Sequence, residues 1–247
     1  MSEHTVASFD TELQELRRSI MEMGGIAEKM LADATTALVR RDVGLAQSVV
    51  TTDYRLDTIQ RDIEEKAILT IARRQPMAID LREVISAIRI ASDIERIGDM
   101  AKNISKRTLA ISGQFEPQRV VLGVERMSDM VLGQLKDVLD AYTQLDVDKA
   151  LEVWRRDGAT DALYNSLFRE LLTYMMEDPR NITFCTHLLF CAKNVERIGD
   201  HTTNVAETIH YLVTGQPITA ERPKMDRTAY ETGHGDDAPG GPAATAP

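Results

Sequence analysis

A five-residue acidic motif occurs twice in the chain, and its repetition limits the possible folds more than any other feature. Residues 95–99 read Glu-Arg-Ile-Gly-Asp, and the same five residues return at 196–200, an offset of 101. In a helix, the Glu and Asp of each copy are four positions apart, so their carboxylates lie on one face about 5–6 Å apart and repel each other by a few tenths of a kcal/mol. We therefore expect a ligand that offsets this repulsion at both copies.

Apolar residues in the first half of the chain recur at the three- and four-residue spacings of long bundle helices. The spacings predict a first helix over residues 9–40 and a second that follows Asp42, which is suited to cap it, and ends near Arg74. Gln75-Pro76 is a turn signal, and a third helix follows that ends near 112–113.

The second half repeats this plan at an offset of 104 in its first two helices. The break recurs at Asp146-Val147, Asp178-Pro179 supplies the second turn, and the last helix ends near Leu212. An internal duplication explains this agreement. We predict an all-α protein of two tandem three-helix repeats with six long helices, followed by a polar Gly-, Pro- and Ala-rich tail that lacks the apolar residues to fold. The predicted boundaries are 1–113, 114–214 and 215–247.

The charge balance excludes some classes of partner. The chain has 39 acidic and 29 basic residues and a net charge of −10, which disfavours binding to a nucleic-acid backbone.

No apolar run approaches the roughly 20 residues needed to span a bilayer, and the polar start lacks the features of a signal peptide. We therefore expect a cytoplasmic protein.

The cysteine and histidine residues give weaker signals. Cys185 and Cys191 are six residues apart in one predicted helix, so they point to different faces and are interpreted as reduced core thiols. His187 and Cys191 are four apart and form a possible soft-metal pair, and His201 adjoins Asp200. Because no second Cys/His pair accompanies them, core packing or solvent exposure is the favoured interpretation.

Two further acidic pairs lie in the helix that precedes each motif. Helices joined by a tight turn are antiparallel, so residues equally distant from the turn lie at the same height. Asp53 then faces Asp99, and Asp157 faces Asp200, so four carboxylates meet in each repeat. We name these groups the first cluster, Asp53, Asp57, Glu95 and Asp99, and the second cluster, Asp157, Asp161, Glu196 and Asp200.

Four acidic groups at one height raise one another's pKa values or demand a cation. Oxygen ligands suit Mg²⁺, Mn²⁺, Ca²⁺ or iron better than Zn²⁺ or Cu²⁺, so we predict a hard metal site in each cluster, its metal left open. Asn103 and Asn204 continue the same faces and are possible additional ligands. The alternative is ordinary surface ion pairs with Arg55, Arg89 or Arg96, each worth 0 to about 1 kcal/mol.

The chain resembles the PhoU family of phosphate-transport regulatory proteins over about residues 9–213. The resemblance rests on the two five-residue motifs, the four acidic pairs and the duplicated three-helix plan. The Glu/Asp-x-x-x-Asp motif of that family matches all four pairs. The resemblance implies a cytoplasmic, usually dimeric, all-α protein that binds metal ions or clusters at these motifs and has no established catalytic activity. It also implies negative regulation of phosphate uptake and of the phosphate-starvation response, through the ATPase of the phosphate ABC transporter and a membrane sensor histidine kinase.

Two other functions stay open at this point. A carboxylate-bridged metal centre in a helical bundle is also suited to phosphoester hydrolysis or oxygen chemistry, which would make the protein a metalloenzyme. Ferritin-like enzymes carry Glu-x-x-His, however, and neither Glu95 nor Glu196 has a histidine three residues on. The other alternative is a helical adaptor that works without metal.

Overall fold

The computed structural model describes residues 2–113, 118–220 and 222, with side chains described for 9–113, 120–220 and 222. These residues form seven α-helices, a 3₁₀ turn over Pro179–Asn181 and no strand. The predicted all-α class is confirmed, and the first helix extends further toward the N-terminus than the predicted start at Phe9. The helices are α1 Ser2–Arg40, α2 Val43–Arg74, α3 Ile79–Ile111, α4 Gln118–Gln144, α5 Val147–Arg155, α6 Asp157–Glu177 and α7 Ile182–Thr214.

The same capped reversal opens the second helix of each repeat. Asp42 has an extended backbone and its carboxylate accepts a hydrogen bond from the backbone N–H of Leu45 at 2.9 Å. Asp146 does the same for Lys149 at 3.0 Å. A side-chain oxygen at this position satisfies one of the N–H groups that a helix leaves unpaired at its start. The predicted cap at Asp42 is therefore confirmed, and the duplication extends to backbone detail.

The predicted fifth helix is present but is interrupted at one position. The chain leaves regular α-helix at Arg156, where the backbone N–H bonds to the carbonyl of Val153 rather than to the residue four back. Gly158 lies where the first repeat has Tyr54, and glycine costs about 1 kcal/mol relative to alanine inside a helix. The six-helix plan thus holds with its fifth member divided into α5 and α6.

The two repeats lie side by side as helical bundles, α1–α3 and α4–α7, with α3 and α7 packed together along the seam and α1 against α4. Oδ1 of Asp93 on α3 lies 2.9 Å from Nδ1 of His201 on α7, across this seam. Farther along α3, the Arg107 guanidinium lies 4.0 Å from the ring centroid of Phe190. Residue numbers rise along α3 as they fall along α7, so the seam helices are antiparallel.

The motif glycines allow close packing between helices. A Cβ atom added to Gly98 would lie 3.1 Å from Cδ2 of Leu56 on α2, and one added to Gly199 would lie 3.3 Å from Cγ2 of Thr160 on α6. Both contacts are tighter than ordinary side-chain packing. The glycine of each motif therefore brings the two helices of its acidic cluster together.

The first residues after α7 contact the helices as far as Arg222. Gly215 ends α7 in the left-handed conformation with φ 73°, and Ile218 packs against the core. Arg222 contacts α6 and α7. The composition of the segment did not predict these contacts, because one apolar and one charged side chain are enough to bind a short segment to the helices. Residues 114–117, 221 and 223–247 lie outside the described part of the chain.

Across the described helices, none is both long and apolar enough to cross a membrane.

The duplicated caps generate a stability prediction. We expect Asp42→Ala and Asp146→Ala each to lower the free energy of unfolding by about 0.5–2 kcal/mol, because each leaves a helix-start N–H unpaired. Asp62→Ala, at an exposed position within α2, is the matched control and should stay within about 0.5 kcal/mol. Urea denaturation followed by circular dichroism measures all three. Equal losses for caps and control would contradict the assignment.

Candidate metal centres

The first cluster is formed where α2 and α3 face each other. Asp53 on α2 is 7% exposed, and its Oδ2 atom lies 2.5 Å from Nζ of Lys102 on α3. The same Nζ atom lies 2.5 Å from Oδ1 of Asp99, one turn earlier on α3. Asp53 and Asp99 thus share one ammonium group, which confirms the predicted register for this pair.

Burial and mutual repulsion govern the charge of the first cluster. Burial raises the pKa of Asp53, the hydrogen bond from Lys102 opposes that rise, and the charges of Asp57 and Asp99 add to it. Burial also raises the pKa of Glu95, and the charges of Asp99, Asp57 and Asp53 raise it further. Burial alone would lower the pKa of Lys102, but its two carboxylate partners outweigh burial and hold that pKa above its ordinary value. All four acids therefore interact, and the ammonium group of Lys102 contacts two of them, Asp53 and Asp99.

The second cluster lies between α6 and α7 and holds a different cation. Asp157, the first residue of α6, is 3% exposed, and its Oδ2 atom accepts a hydrogen bond from Nε of Arg222 at 2.7 Å. Nη2 of Arg222 donates to Oδ1 of Asp200 at 2.8 Å. The predicted pair Asp157 and Asp200 thus also faces one cation, here a guanidinium from beyond the last helix.

Glu196 is the most unusual carboxylate of the second cluster. It is 5% exposed, its Oε1 atom accepts a hydrogen bond from Lys193 at 3.0 Å, and its Oε2 atom is buried without a hydrogen-bond partner among the described residues. Burial raises the pKa of Glu196, Lys193 opposes this, and the charges of Asp200 and Asp161 raise the pKa further. A buried carboxylate oxygen without a hydrogen-bond partner is rare in proteins, and a bound water or cation is one explanation for it.

The two clusters differ because one position has diverged between the repeats. Lys102 corresponds, at the offset of 101, to Thr203, whose Oγ1 donates a hydrogen bond to Oδ1 of Asp157 at 3.0 Å. The second cluster therefore has no lysine at that position, and Arg222 is the cation that lies between Asp157 and Asp200. Asn204, a possible additional ligand, accepts a hydrogen bond from Arg222 at 3.2 Å, whereas Asn103 is half-buried on the matching face of α3.

Asp53 and Asp99 are turned toward Lys102, and Asp157 and Asp200 are turned toward Arg222. In the part of the chain that the structure describes, no group of three or more His, Cys, Asp or Glu side chains is arranged to hold a metal ion as it stands. The donor set nevertheless fits a hard cation, because it consists of carboxylate oxygens, one of which lacks a partner. Binding a metal would require the side chains to turn away from Lys102 or Arg222.

Of the three arginines considered from the sequence, Arg96 pairs with the first cluster, and Arg55 and Arg89 have other partners. Arg55 pairs instead with Glu22 at 2.6 Å, and Arg89 lies 5.6 Å from the ring centroid of Tyr211. Arg96 alone of the three comes near, with Nε 3.5 Å from Oε2 of Glu95. Lys102 and Lys193 each lie three residues from a motif acid, Asp99 and Glu196 respectively, so helical spacing would have identified both lysines. No sequence pattern identifies Arg222.

The cysteine thiols take no part in either cluster. Cys185 and Cys191 are free and buried, as predicted. Burial raises the pKa of Cys191 to about 12, so the thiolate needed for a soft-metal site is disfavoured. Burial, followed by the charge of Arg107, lowers the pKa of His187.

The raised pKa of Glu196 predicts how stability depends on pH. The folded chain binds this proton more tightly than the unfolded chain, so the associated stability is present below the ordinary pKa of 4.5 and is lost as pH rises through the folded pKa. We therefore expect Glu196→Gln, without metal, to melt at a higher temperature than the parent at pH 7. Thermal melts in chelator from pH 4 to 7 measure the difference, which should disappear below pH 4.5.

Glu65→Gln, at an exposed position on α2, is the control for loss of one carboxylate and should leave the melting temperature unchanged at each pH. A metal-free Glu196→Gln protein that melts below the parent at pH 7 would contradict the account of this buried charge.

Comparison with known proteins agrees with this duplicated arrangement. Residues 20–108 and 124–209 each match the PhoU domain. The chain is 57% identical over 226 residues to a phosphate-specific transport system accessory protein PhoU homolog of Rhizobium meliloti, covering 92% of this chain and 95% of that protein. A homolog of the same name from Caulobacter vibrioides is 55% identical, covering 92% and 98%.

Solved structures show the same fold. The crystal structure of PhoU from Pseudomonas aeruginosa superposes with a TM-score of 0.82 at 39% identity, covering 84% of this chain and all of that one. The phosphate transport system regulatory protein PhoU from Streptococcus pneumoniae gives a TM-score of 0.79 at 29% identity, covering 86% of this chain. The repeated matches, the extent of identity and the shared fold together establish that this chain belongs to the PhoU family.

Proposed function

We propose that this protein is a negative regulator of phosphate uptake and of the phosphate-starvation response. It acts in the cytoplasm as a homodimeric, metal-binding adaptor that links the ATPase of the phosphate ABC transporter to a membrane sensor histidine kinase. The names of its relatives, accessory proteins of the phosphate-specific transport system, support the transport part of this role. The observation that carries the metal part is the buried Oε2 atom of Glu196, which lacks a hydrogen-bond partner beside two other carboxylates.

The residues proposed to hold metal are those of the two clusters. In the second, Asp161, Glu196 and Asp200 offer carboxylate oxygens around the unpartnered atom. In the first, Asp57, Glu95 and Asp99 are the equivalent residues. When bound, Mg²⁺, Mn²⁺, Ca²⁺ or iron supplies a compact positive charge that offsets the repulsion of buried acids more fully than one ammonium or guanidinium group. Asn103 and Asn204 are placed to add an amide oxygen.

Metal loading changes the charge that the protein presents to its partners. The chain carries a net charge of −10, and each cluster concentrates four acids at one height of a bundle. A bound divalent or trivalent ion removes part of that local negative charge, and charge complementarity controls the rate and specificity of docking. We therefore propose that the loaded cluster faces dock onto the transporter ATPase or the kinase, and that loading sets the strength of docking.

The contacts of the clusters favour a regulator over a metalloenzyme. Phosphoester hydrolysis uses cations free to bind phosphate oxygens, whereas Lys102 and Arg222 are both held between carboxylates. We propose that the protein is not an enzyme. Metal-loaded protein should accordingly turn over neither a generic phosphoester nor ferrous iron, and turnover of either that is lost in the variants below would support the alternative.

The proposed function predicts that metal and partner binding are lost together. Asp99→Asn/Asp200→Asn removes one carboxylate from each cluster, and Asp62→Asn/Asp148→Asn removes the same charge from exposed positions. We expect protein purified without chelator to contain metal in the parent and the control but not in the cluster variant. Capture of the purified transporter ATPase should fall at least about tenfold for that variant, the loss of roughly 1.4 kcal/mol of binding free energy.

Metal analysis by mass spectrometry and pull-down of the ATPase test this on the same samples. If neither the parent nor the cluster variant holds metal and both capture the ATPase equally, the acids are a solvated face and the metal-dependent mechanism is wrong. Capture by the parent that survives chelation would support the metal-independent adaptor.

A further inference from the structure

Arg222 occupies the second cluster through all three nitrogen atoms of its guanidinium. Nε and Nη2 donate to the two carboxylate oxygens of Asp157 at 2.7 and 3.0 Å, a bidentate pairing that matches the planar fork of arginine. Nη2 also donates to Oδ1 of Asp200 at 2.8 Å and to its backbone carbonyl at 3.2 Å. Nη1 donates to Oδ1 of Asn204 at 3.2 Å. Three residues on two helices are thus arranged around one guanidinium.

We infer that the second cluster is a guanidinium-binding site filled by the chain's own Arg222, and that Arg222 and a metal ion exclude each other there. The metal half of this inference rests on the proposed function, whereas the guanidinium half rests on the contacts alone. The first cluster differs, because the cation between Asp53 and Asp99 is Lys102, which belongs to α3 itself.

A short tether brings Arg222 to the site. The chain reverses at Gly215, and the next residue is fixed by a hydrogen bond from its backbone N–H to Oγ1 of Thr214 at 3.1 Å. Ile218 then packs on the core, half-buried, before Arg222 reaches α6 and α7. A tether of this length gives the guanidinium a high effective concentration at the site. Its release breaks few contacts, since Ile218 is its single packed apolar side chain among the described residues from 215 to 222.

The exclusion follows from the atoms that Arg222 uses. Both Oδ atoms of Asp157 and Oδ1 of Asp200 are hydrogen-bonded to the guanidinium, so they are unavailable as metal ligands while it is bound. A metal ion beside the guanidinium would also meet its positive charge at short range, where repulsion is strong. Because coupling between two binding events is reciprocal, metal binding must release Arg222 to the same degree that Arg222 weakens metal binding.

Metal loading of the second repeat therefore releases Arg222 and loosens the segment that carries it, whereas loading of the first repeat does not. The two repeats are unequal sensors built on one duplicated plan: the first exchanges a metal with a lysine fixed on a helix, and the second exchanges a metal with a removable arginine. Release of Arg222 converts metal binding into exposure of a basic side chain.

The inference is tested by Mn²⁺ titration in an Asp99→Asn background, which removes the first site so that the second is observed alone. We expect Arg222→Ala in this background to tighten Mn²⁺ binding by about 5- to 150-fold, the usual range for coupled sites. Arg222→Lys, which keeps the charge but loses the fork, should give an intermediate gain. Arg126→Ala, at an exposed position on α4, is the charge-matched control and should leave affinity unchanged.

Release of the segment is measured separately. A fluorophore placed on the exposed Thr219 by Thr219→Cys labels this position selectively in folded protein, because Cys185 and Cys191 are buried. We expect high anisotropy in metal-free Asp99→Asn protein, a fall when Mn²⁺ is added, and low anisotropy at all Mn²⁺ concentrations after Arg222→Ala.

The outcomes separate this inference from the proposed function. Equal Mn²⁺ affinity with and without Arg222 overturns the exclusion and leaves metal binding intact. Equal anisotropy of metal-free parent and Arg222→Ala protein overturns the guanidinium site. If no variant binds Mn²⁺ but Arg222→Ala still lowers anisotropy, the guanidinium site stands, and the exclusion falls together with the proposed metal role.

Discussion

The antiparallel pairing of two helices across a short turn brings four carboxylates to one height in each repeat, and the rest of the site depends on how their charge is neutralised. Water hydrates a charged carboxylate only where the carboxylate is exposed. Asp53, Asp157 and Glu196 are all less than 9% exposed. Burying unpaired charge is costly, so each cluster requires a cation. Lys102 and Arg222 meet that requirement in the two repeats.

Duplication followed by divergence explains why the two solutions differ. The backbone plan is retained down to the aspartate caps at 42 and 146, but Thr203 stands where the first repeat has Lys102. A cation fixed on a helix can move only by a change of rotamer, whereas one carried by a short segment can leave. The second repeat thereby gained a dependence on the chain beyond α7 that the first repeat lacks.

The sequence predicted what depends on periodicity and symmetry. The helices, the register that joins Asp53 to Asp99, and the family all followed from apolar spacing and a repeated motif. The break at Arg156 was missed because it is a change of local backbone hydrogen bonds that leaves the apolar spacing intact. The contact of Arg222 was missed because it joins residues 65 positions apart in a segment of polar composition, where no pattern identifies a partner.

The central claim, that the acidic clusters are metal centres, is tested most directly by anomalous diffraction from crystals grown with Mn²⁺. The account predicts anomalous density in each cluster, with a peak in the second about 2–2.6 Å from Oε2 of Glu196 and Arg222 withdrawn from Asp157. Crystals at saturating Mn²⁺ that show no peak at either cluster, with Lys102 and Arg222 still bound to their aspartates, would contradict it.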